Sequence, residues 1–283
     1  MMGGAVHADD AISADSDAPT RLRVDAGDDG SAVGISVIMP AHNEEDLLAA
    51  AVTSVVVGLR RATATTFEVL VVENGSSDAT PTIAKHLESE LAEVTALTSP
   101  HADYGRALRA GFLAATGRVV VNFDVDYIDL AFLARAATLV AQDDGPVVVV
   151  GAKRGAGAHD ERALPRRVVT FVFSSLLRYG FALQVPDTHG MKALRRVPLL
   201  PIVESCQMGT DLFDTEMILR AERAGLATSS IPVAVEELRP SRSPIASRIP
   251  RTLKGLAKLR IVLWREAPRR WQTPKPAATK GRA

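Results

Sequence analysis

Two aspartates separated by one residue, Asp124 and Asp126, are the strongest chemical signal in the sequence. They follow an apolar run over residues 118–123 that is typical of a buried strand. Crowded carboxylates repel one another, and a divalent cation offsets that repulsion. Mg²⁺ and Mn²⁺ bind carboxylates together with substrate phosphates, so the pair indicates a metal clamp on a diphosphate. The competing interpretation is a solvated acidic turn.

Two further polar segments follow apolar runs in the same way. Residues 40–45 (PAHNEE) come after the run at 35–39, and residues 73–78 (ENGSSD) come after the run at 67–72. An acidic side chain in such a segment is able to accept hydrogen bonds from the N–H groups of a nucleobase. The first segment is also a plausible start of a helix, and its acids would favour the helix dipole. For the second segment, an ordinary turn and cap is the alternative to a binding site.

Strands and helices alternate around these segments. Apolar runs predict strands over residues 35–39, 67–72, 94–97, 118–123 and 146–151. Helical patterns predict helices over 44–61 with Asn43 as N-cap, from 78 or 80 onward, over 104–116 and over 130–142. This alternation predicts a doubly wound, mostly parallel α/β sheet. Ligands bind such sheets at the carboxyl ends of the strands, so the three polar segments are expected to share one crevice.

The second half of the chain has a less regular pattern. Helices are predicted over 165–183 and 211–224, with a loop at 186–190 and a late edge strand at 231–235 whose Pro232 cannot donate to a ladder. We predict a disordered acidic tail over 1–34, one catalytic-type domain over 35–245, a basic amphipathic helix over 246–266 and a disordered basic tail over 267–283.

Composition limits the class of protein. The 33 Lys and Arg balance 33 Asp and Glu, which argues against a general nucleic-acid binder. Cys206 is the only cysteine, which fits a reducing compartment and a buried, unreactive thiol. No run reaches the ~18 apolar residues of a membrane span. We therefore expect a cytoplasmic protein. The basic helix either lies on the cytoplasmic face of the membrane or packs on the sheet, and a membrane-protein partner is a further way to reach the membrane.

Several motifs in register resemble one enzyme family. Residues 36–45 (SVIMPAHNEE) and 71–78 (VVENGSSD) are similar to the opening and second-strand motifs of family 2 glycosyltransferases, and residues 105–112 and 115–117 match the segment before the metal site. Residues 187–192 (DTHGMK) and 213–217 (FDTEM) resemble the branch that makes dolichyl- and polyprenyl-phosphate sugars. The resemblance spans roughly residues 35–245. It implies the GT-A fold, a Rossmann-like, doubly wound, mostly parallel sheet in a single domain.

The resemblance also assigns a donor site. It implies that a nucleotide-sugar donor binds with Mg²⁺ or Mn²⁺, and that Asp124 and Asp126 hold the metal and the donor phosphates. The positions that match the donor-binding motifs are Pro40, Ala41, Glu44, Glu73, Asp78, Gly105, Arg106, Asp124 and Val125. The chain departs from the pattern at Ile128, where the family has a metal-ligating Gln, and Asp129 is the candidate substitute.

The resemblance further implies an acceptor, a polyprenyl (dolichyl-type) phosphate, and inverting transfer. A phosphate monoester has a second pKa near ~6 and is already an anionic nucleophile at pH 7, so cations are needed rather than a base. Arg154 and Arg166 are the first candidates for catalytic cations, and Lys192, His189 and Arg239 are candidates for the acceptor phosphate.

Two alternatives stay open from the sequence. A hydroxyl acceptor on a glycan or metabolite would need a base, for which Asp211 is the candidate. The other alternative is a non-catalytic, nucleotide-binding scaffold protein.

Overall fold

A computed structural model gives the fold. It describes residues 32–63, 65–100, 102–152, 159–160, 175–185, 190–235 and 245–266, together with Leu22, Val24, Phe173 and Thr188 but without residues 186, 187 and 189. The strands are β1 (Ile35–Ala41), β2 (Phe67–Asn74), β3 (Val94–Ser99), β4 (Val119–Asn122), β5 (Val148–Ala152), β6 (His159–Asp160), β7 (Lys192–Arg195), β8 (Thr228–Pro232) and β9 (Ala234–Val235).

Helices connect most of these strands. They are α1 (Leu48–Ala62), α2 (Thr80–Glu90), α3 (Tyr104–Ala114), α4 (Leu130–Ala141), α5 (residues 175–181), α6 (Arg196–Ser205), α7 (Phe213–Arg223) and α8 (Ile245–Glu266). A single 3₁₀ turn, Thr210–Leu212, precedes α7. The predicted elements that lie within the described residues are confirmed in type and order, with ends that move by a few residues. Of the predicted helix over 165–183, residues 165–172 and 174 lie outside the described residues.

Seven strands form one sheet in the order β3-β2-β1-β4-β7-β5-β8. Every neighbouring pair is parallel except those made by β7, which runs antiparallel to both β4 and β5. The mostly parallel, doubly wound sheet is therefore confirmed, and β7 is a strand that the sequence did not predict. Because β7 is reversed, its first residue, Lys192, pairs with the last residue of β4, Asn122.

The sheet separates two apolar cores because strand side chains alternate between its faces. In β1, Val37 and Met39 belong to the core beneath α1, α2 and α4, whereas Ile38 belongs to the core beneath α3, α6 and α7. Both faces are covered, which explains why the strands are continuous apolar runs rather than alternating ones.

Two predicted boundaries need correction. Asn43 is not the N-cap of α1: it has a positive φ of 54° in the loop, and α1 begins at Leu48 without a side-chain cap. Leu22 and Val24 lie within the predicted acidic tail, yet both are buried, and the Leu22 N–H donates to the Ala62 carbonyl at 3.1 Å. The folded part thus includes residues that precede the predicted start.

The C-terminal helix α8 is part of the fold. Leu256, Leu259 and Leu263 are buried in the same core as α3, α6 and α7. The predicted alternative that this helix packs an apolar face on the domain is confirmed for these residues. No helix among the described residues is both long enough and apolar enough to cross a membrane.

Candidate active site

The loops that follow β1 and β2 are hydrogen-bonded to each other at the carboxyl edge of the sheet. His42 Nδ1 donates to the Asn74 carbonyl at 2.8 Å, and the Asn43 N–H donates to Ser76 Oγ at 3.0 Å. Asn43 Oδ1 in turn accepts from the Ser77 N–H at 2.8 Å. This reciprocal contact explains the left-handed backbone of Asn43, since Asn tolerates that conformation better than most residues.

Two acidic residues, Glu73 and Asp78, accept hydrogen bonds from backbone N–H groups in and beside these loops. Glu73 is buried and accepts from the Ser76 N–H at 2.5 Å. Asp78 accepts from the N–H groups of Thr80 at 3.0 Å and Glu45 at 3.3 Å. Desolvation acts to raise the pKa of Asp78, but hydrogen bonds from Thr80 and Glu45 outweigh it and lower that pKa below its ordinary value. The Glu44 N–H joins the same cluster by donating to Thr80 Oγ1 at 2.8 Å.

Asp124 and Asp126 lie on a tight turn directly after β4. The Tyr127 N–H donates to the Asp124 carbonyl at 3.0 Å, which closes the turn, and Val125 between the acids points into the core. Asp126 is exposed and Asp124 is half-buried. Burying Val125 therefore turns its two neighbours away from the core.

Tyr104 fixes the orientation of Asp124. Its hydroxyl donates to Asp124 Oδ1 at 3.0 Å from the first residue of α3. Because Oδ1 is held by the Tyr104 hydroxyl, the orientation of the carboxylate and the position of its second oxygen, Oδ2, are also fixed. Tyr104 thus links α3 to the strand that carries the acid pair.

Asp103 joins α3 to two more elements of the site. Its N–H donates to Asn74 Oδ1 at 2.7 Å. Its carboxylate caps α3 by accepting from the Arg106 N–H and also accepts from the Thr210 N–H at 2.6 Å. A chain of hydrogen bonds therefore runs from the β1 loop through Asn74 and Asp103 to the 3₁₀ turn Thr210–Leu212. The predicted convergence of the strand ends on one crevice is supported by this network.

Gly105 is placed where no side chain fits. A Cβ at this position would lie 2.4 Å from the Thr210 carbonyl oxygen and 2.8 Å from the Gly209 carbonyl carbon. The sequence suggested a donor contact for Gly105, and the structure shows close packing against another backbone. Arg106 beside it is exposed, with Nε 3.7 Å from Asp103 Oδ2.

The acid pair suits a hard cation that shares substrate oxygens. Within the described residues no group of three or more His, Cys, Asp or Glu side chains converges as a complete metal cage. Two carboxylates fit Mg²⁺ or Mn²⁺ when phosphate oxygens and water complete the coordination. Asp129 is committed elsewhere, because its Oδ1 caps α4 by accepting from the Phe132 N–H at 2.7 Å. Ile128 packs against the apolar core and supplies no ligand.

Of the cations predicted on the acceptor side, only Lys192 lies within the described residues. Lys192 is fully buried, and its ammonium donates to the Gly190 carbonyl at 2.6 Å and pairs with Asp214 Oδ2 at 2.9 Å. Its ammonium therefore faces the protein interior, and the phosphate contact predicted for Lys192 stays a prediction. The candidates Arg154, Arg166, His189 and Arg239 lie outside the described residues. The backbone of Asp211 is described within the 3₁₀ turn, whereas its side chain is not.

Sequence comparison decides the family. A model described as Glycosyl transferase family 2 matches residues 36–201. The chain belongs to glycosyl transferase family 2. As a member of that family it is a nucleotide-sugar-dependent glycosyltransferase, which favours an enzyme over the scaffold alternative.

Two relatives show how far the likeness extends. An uncharacterized glycosyltransferase of Mycobacterium tuberculosis is 33% identical over 204 residues, covering 71% of this chain and 84% of the relative. A dolichyl-phosphate beta-glucosyltransferase of Drosophila melanogaster is 28% identical over 231 residues, covering 76% of this chain and 71% of that protein.

A solved structure confirms the fold of this family 2 enzyme. Glucosyl-3-phosphoglycerate synthase from Mycobacterium tuberculosis, in complex with Mn²⁺, UDP-glucose and phosphoglyceric acid, superposes with a TM-score of 0.58 at 20% identity. The likeness covers 82% of this chain and 79% of the other. The predicted GT-A architecture is therefore confirmed.

Proposed function

We propose that the protein transfers a sugar from a nucleoside-diphosphate donor to a polyprenyl phosphate. The observation that carries the choice of acceptor is the likeness to a dolichyl-phosphate beta-glucosyltransferase over 231 residues.

The donor would bind across the loops after β1, β2 and β4. Pro40, Ala41 and Glu44 line the β1 end, and Glu73 and Asp78 shape the neighbouring loop that would hold the nucleoside. Asp124 and Asp126 would hold Mg²⁺ or Mn²⁺ with the donor diphosphate. When bound, such a cation neutralises the charge that develops on the departing diphosphate. Tyr104 would orient Asp124 for this task through its 3.0 Å hydrogen bond.

The transfer step needs no general base. A phosphate oxygen of the acceptor attacks the anomeric carbon, the bond from that carbon to the donor diphosphate breaks, and the nucleoside diphosphate leaves with the bonding electrons. Attack from the face opposite the leaving group inverts the configuration. The acceptor phosphate is already anionic at pH 7, so the protein has to hold two anions together. Arg154, Arg166, Arg239 and His189 remain the proposed cations for this purpose.

A sugar-transfer assay tests the proposal. Purified protein is incubated with polyprenyl phosphate, Mn²⁺ and each common labelled nucleotide sugar, and lipid-linked sugar is extracted and counted. Asp126→Asn is expected to lower transfer by about 100-fold or more, because the variant removes one charge from the site that stabilises the leaving group. Asp143→Asn is the matched control, since Asp143 is exposed and pairs with Arg118. Full activity of Asp126→Asn would refute the metal assignment.

A hydroxyl acceptor is the second candidate. The structural neighbour in complex with phosphoglyceric acid favours it, as does the position of Asp211 in a 3₁₀ turn that is tied to Asp103. A hydroxyl must lose its proton on attack, so Asp211 would act as the base. Asp211→Asn is expected to abolish transfer to a hydroxyl and to leave transfer to a phosphate nearly unchanged. Assaying the variant with both acceptor classes separates the two candidates.

A further inference from the structure

The C-terminal helix α8 has an inner face that fastens it to the domain. Leu256, Leu259 and Leu263 are buried in the core, with 4%, 0% and 4% exposure. At the end of the helix, Glu266 Oε2 lies 2.5 Å from Arg220 Nη1. Arg220 is buried on α7 and also pairs with Glu216 at 2.8 Å. The packing and the ion pairs fix which side of α8 faces outward.

A second apolar stripe lies on the outward side of the same helix. We call Leu253, Ala257, Ile261 and Trp264 the outer face of α8. Their spacing of four, four and three residues keeps them on one side of an α-helix. Leu253, Ile261 and Trp264 are 52%, 50% and 74% exposed, although such side chains are usually covered. The described part of the domain therefore leaves the outer face uncovered.

Cations flank the outer face. Lys254, Lys258, Arg260 and Arg265 are all exposed on α8. Glu266 is the only acid in the helix sequence, and it is held by Arg220. An apolar stripe with Trp, flanked by Lys and Arg, is typical of a helix that lies in a membrane interface. Long basic side chains reach the lipid headgroups while their stems cover apolar surface.

The neighbouring helix α5 extends this surface. The Arg260 guanidinium lies 5.6 Å from the centre of the Phe181 ring and donates to the Gly180 carbonyl, so the end of α5 is beside α8. Tyr179 and Leu176 on α5 are 85% and 40% exposed. A Tyr ring with an apolar body and a polar hydroxyl favours the headgroup region.

We propose that the outer face of α8, with its flanking cations, docks this enzyme on an anionic lipid bilayer. A second copy of the chain is a poorer occupant, because a symmetric contact would bring two sets of cations together. Anionic headgroups supply the complementary charge and the acyl region covers the apolar stripe. The inference rests on the proposed function, because an acceptor such as polyprenyl phosphate lies in a membrane and gives the enzyme a reason to bind there. The binding itself is measured without catalysis.

Vesicle binding of the full-length protein tests the inference. Sedimentation with vesicles of phosphatidylcholine and phosphatidylglycerol in equal parts is compared with vesicles of phosphatidylcholine alone. We expect binding to the anionic vesicles only, and weaker binding at high salt. In a Trp271→Phe background, Trp264 is the only tryptophan, and its emission is expected to shift to the blue when anionic vesicles are added.

Two sets of substitutions separate the apolar and ionic contributions. Lys254→Gln, Lys258→Gln and Arg265→Gln combined are expected to lower the partition coefficient roughly 100-fold, at about fivefold per charge. Leu253→Ser, Ile261→Ser and Trp264→Ser combined are expected to lower it at least about tenfold. Val197→Ser is the matched control, because Val197 is a 50% exposed apolar residue on α6. Thermal unfolding of each variant checks that the fold is kept.

The vesicle experiments have three results that would overturn the inference. They are wild-type protein that stays in the supernatant with anionic vesicles, an unshifted Trp264 emission, and a triple-serine variant that binds as well as wild type. A concentration-dependent dimer that the triple-serine variant abolishes, without vesicle binding, would identify a second copy as the occupant and also overturn it. Vesicle binding without any lipid-linked product would refute the proposed acceptor and leave the docking surface standing.

Discussion

Replacing Gly105 by Ala should separate a packing role from a donor-contact role at this position. Gly105 lies in the first turn of α3, and a Cβ there would come within 2.4 Å of the Thr210 carbonyl oxygen and 2.8 Å of the Gly209 carbonyl carbon. Both atoms belong to backbone, which cannot rotate away as the end of a side chain can. The substitution therefore forces α3 and the 3₁₀ turn apart.

The size of the effect follows from two opposing contributions. Overpacking costs about 1–3 kcal/mol, and contact with backbone places this site towards the upper end. The better helix propensity of Ala offsets up to about 1 kcal/mol. We expect a net loss of about 2 kcal/mol in the free energy of unfolding. With an m value near ~2 kcal/mol/M, the urea midpoint falls by about 1 M.

Activity should fall along with stability, because α3 also carries Tyr104 and its hydrogen bond to Asp124. Gly180→Ala is the matched control. Gly180 is also helical, but its Cβ would meet only Leu176 Cδ1 at 3.8 Å, so that variant is expected to gain about 0.5–1 kcal/mol. Urea unfolding followed by circular dichroism measures both variants. A Gly105→Ala protein as stable as wild type would show that the close approach of the two backbones is not a constraint.

Three further predictions concern single side chains. Tyr104→Phe should raise the Mn²⁺ concentration for half-maximal transfer about tenfold, because Asp124 loses its orienting donor; an unchanged metal titration would contradict this role. The lowered pKa of Asp78 means that its carboxylate stabilises the fold above the unfolded pKa of about 3.9 and loses that contribution as pH falls through the folded value. The stability difference between wild type and Asp78→Asn should accordingly disappear in acid unfolding series, whereas a difference that persists below both pKa values would exclude this cause. Burial, with Glu216 nearby, raises the pKa of Cys206 far above its ordinary value, so Ellman's reagent should label it only after urea is added.

The positions of the predicted donor residues at the ends of strands could be predicted from the sequence because their signals are local. Apolar runs end where polar segments begin, and parallel strands bring those ends to one edge. Asp124 and Asp126 were identified in this way, and their position on a turn after β4, with Asp126 exposed and Asp124 half-buried, agrees with it. The contacts that fix them were not predicted. Asp103 carried a usable signal, since an Asp before a helical pattern is a common N-cap.

Long-range pairing explains what local sequence patterns did not predict. Lys192 was assigned to the acceptor phosphate because it is the last residue of the motif at 187–192. Its ion-pair partner Asp214 comes from a helix further along the chain. The antiparallel strand β7 is only four residues long, and no periodicity distinguishes so short a segment from a loop. The sequence left two possibilities open for α8, packing on the domain and contact with a membrane, because its inner and outer faces are both apolar. A hydrophobic pattern alone does not show which of two stripes faces the domain.

The reversal of β7 has a consequence for how such an enzyme changes substrates in evolution. Because β5 ends and β7 begins at the same edge of the sheet, the chain leaves the sheet after Ala152 and re-enters it at Lys192, next to the end of β4 and the Asp124 turn. A connection between two strands can change in length at little cost to the strands themselves, since loop-closure entropy grows slowly with length. Leu177, Phe181 and Leu183 limit this freedom, because they lie in the connection and are buried in the core. Evolutionary changes beside the Asp124 turn are therefore expected around these three anchors rather than at them.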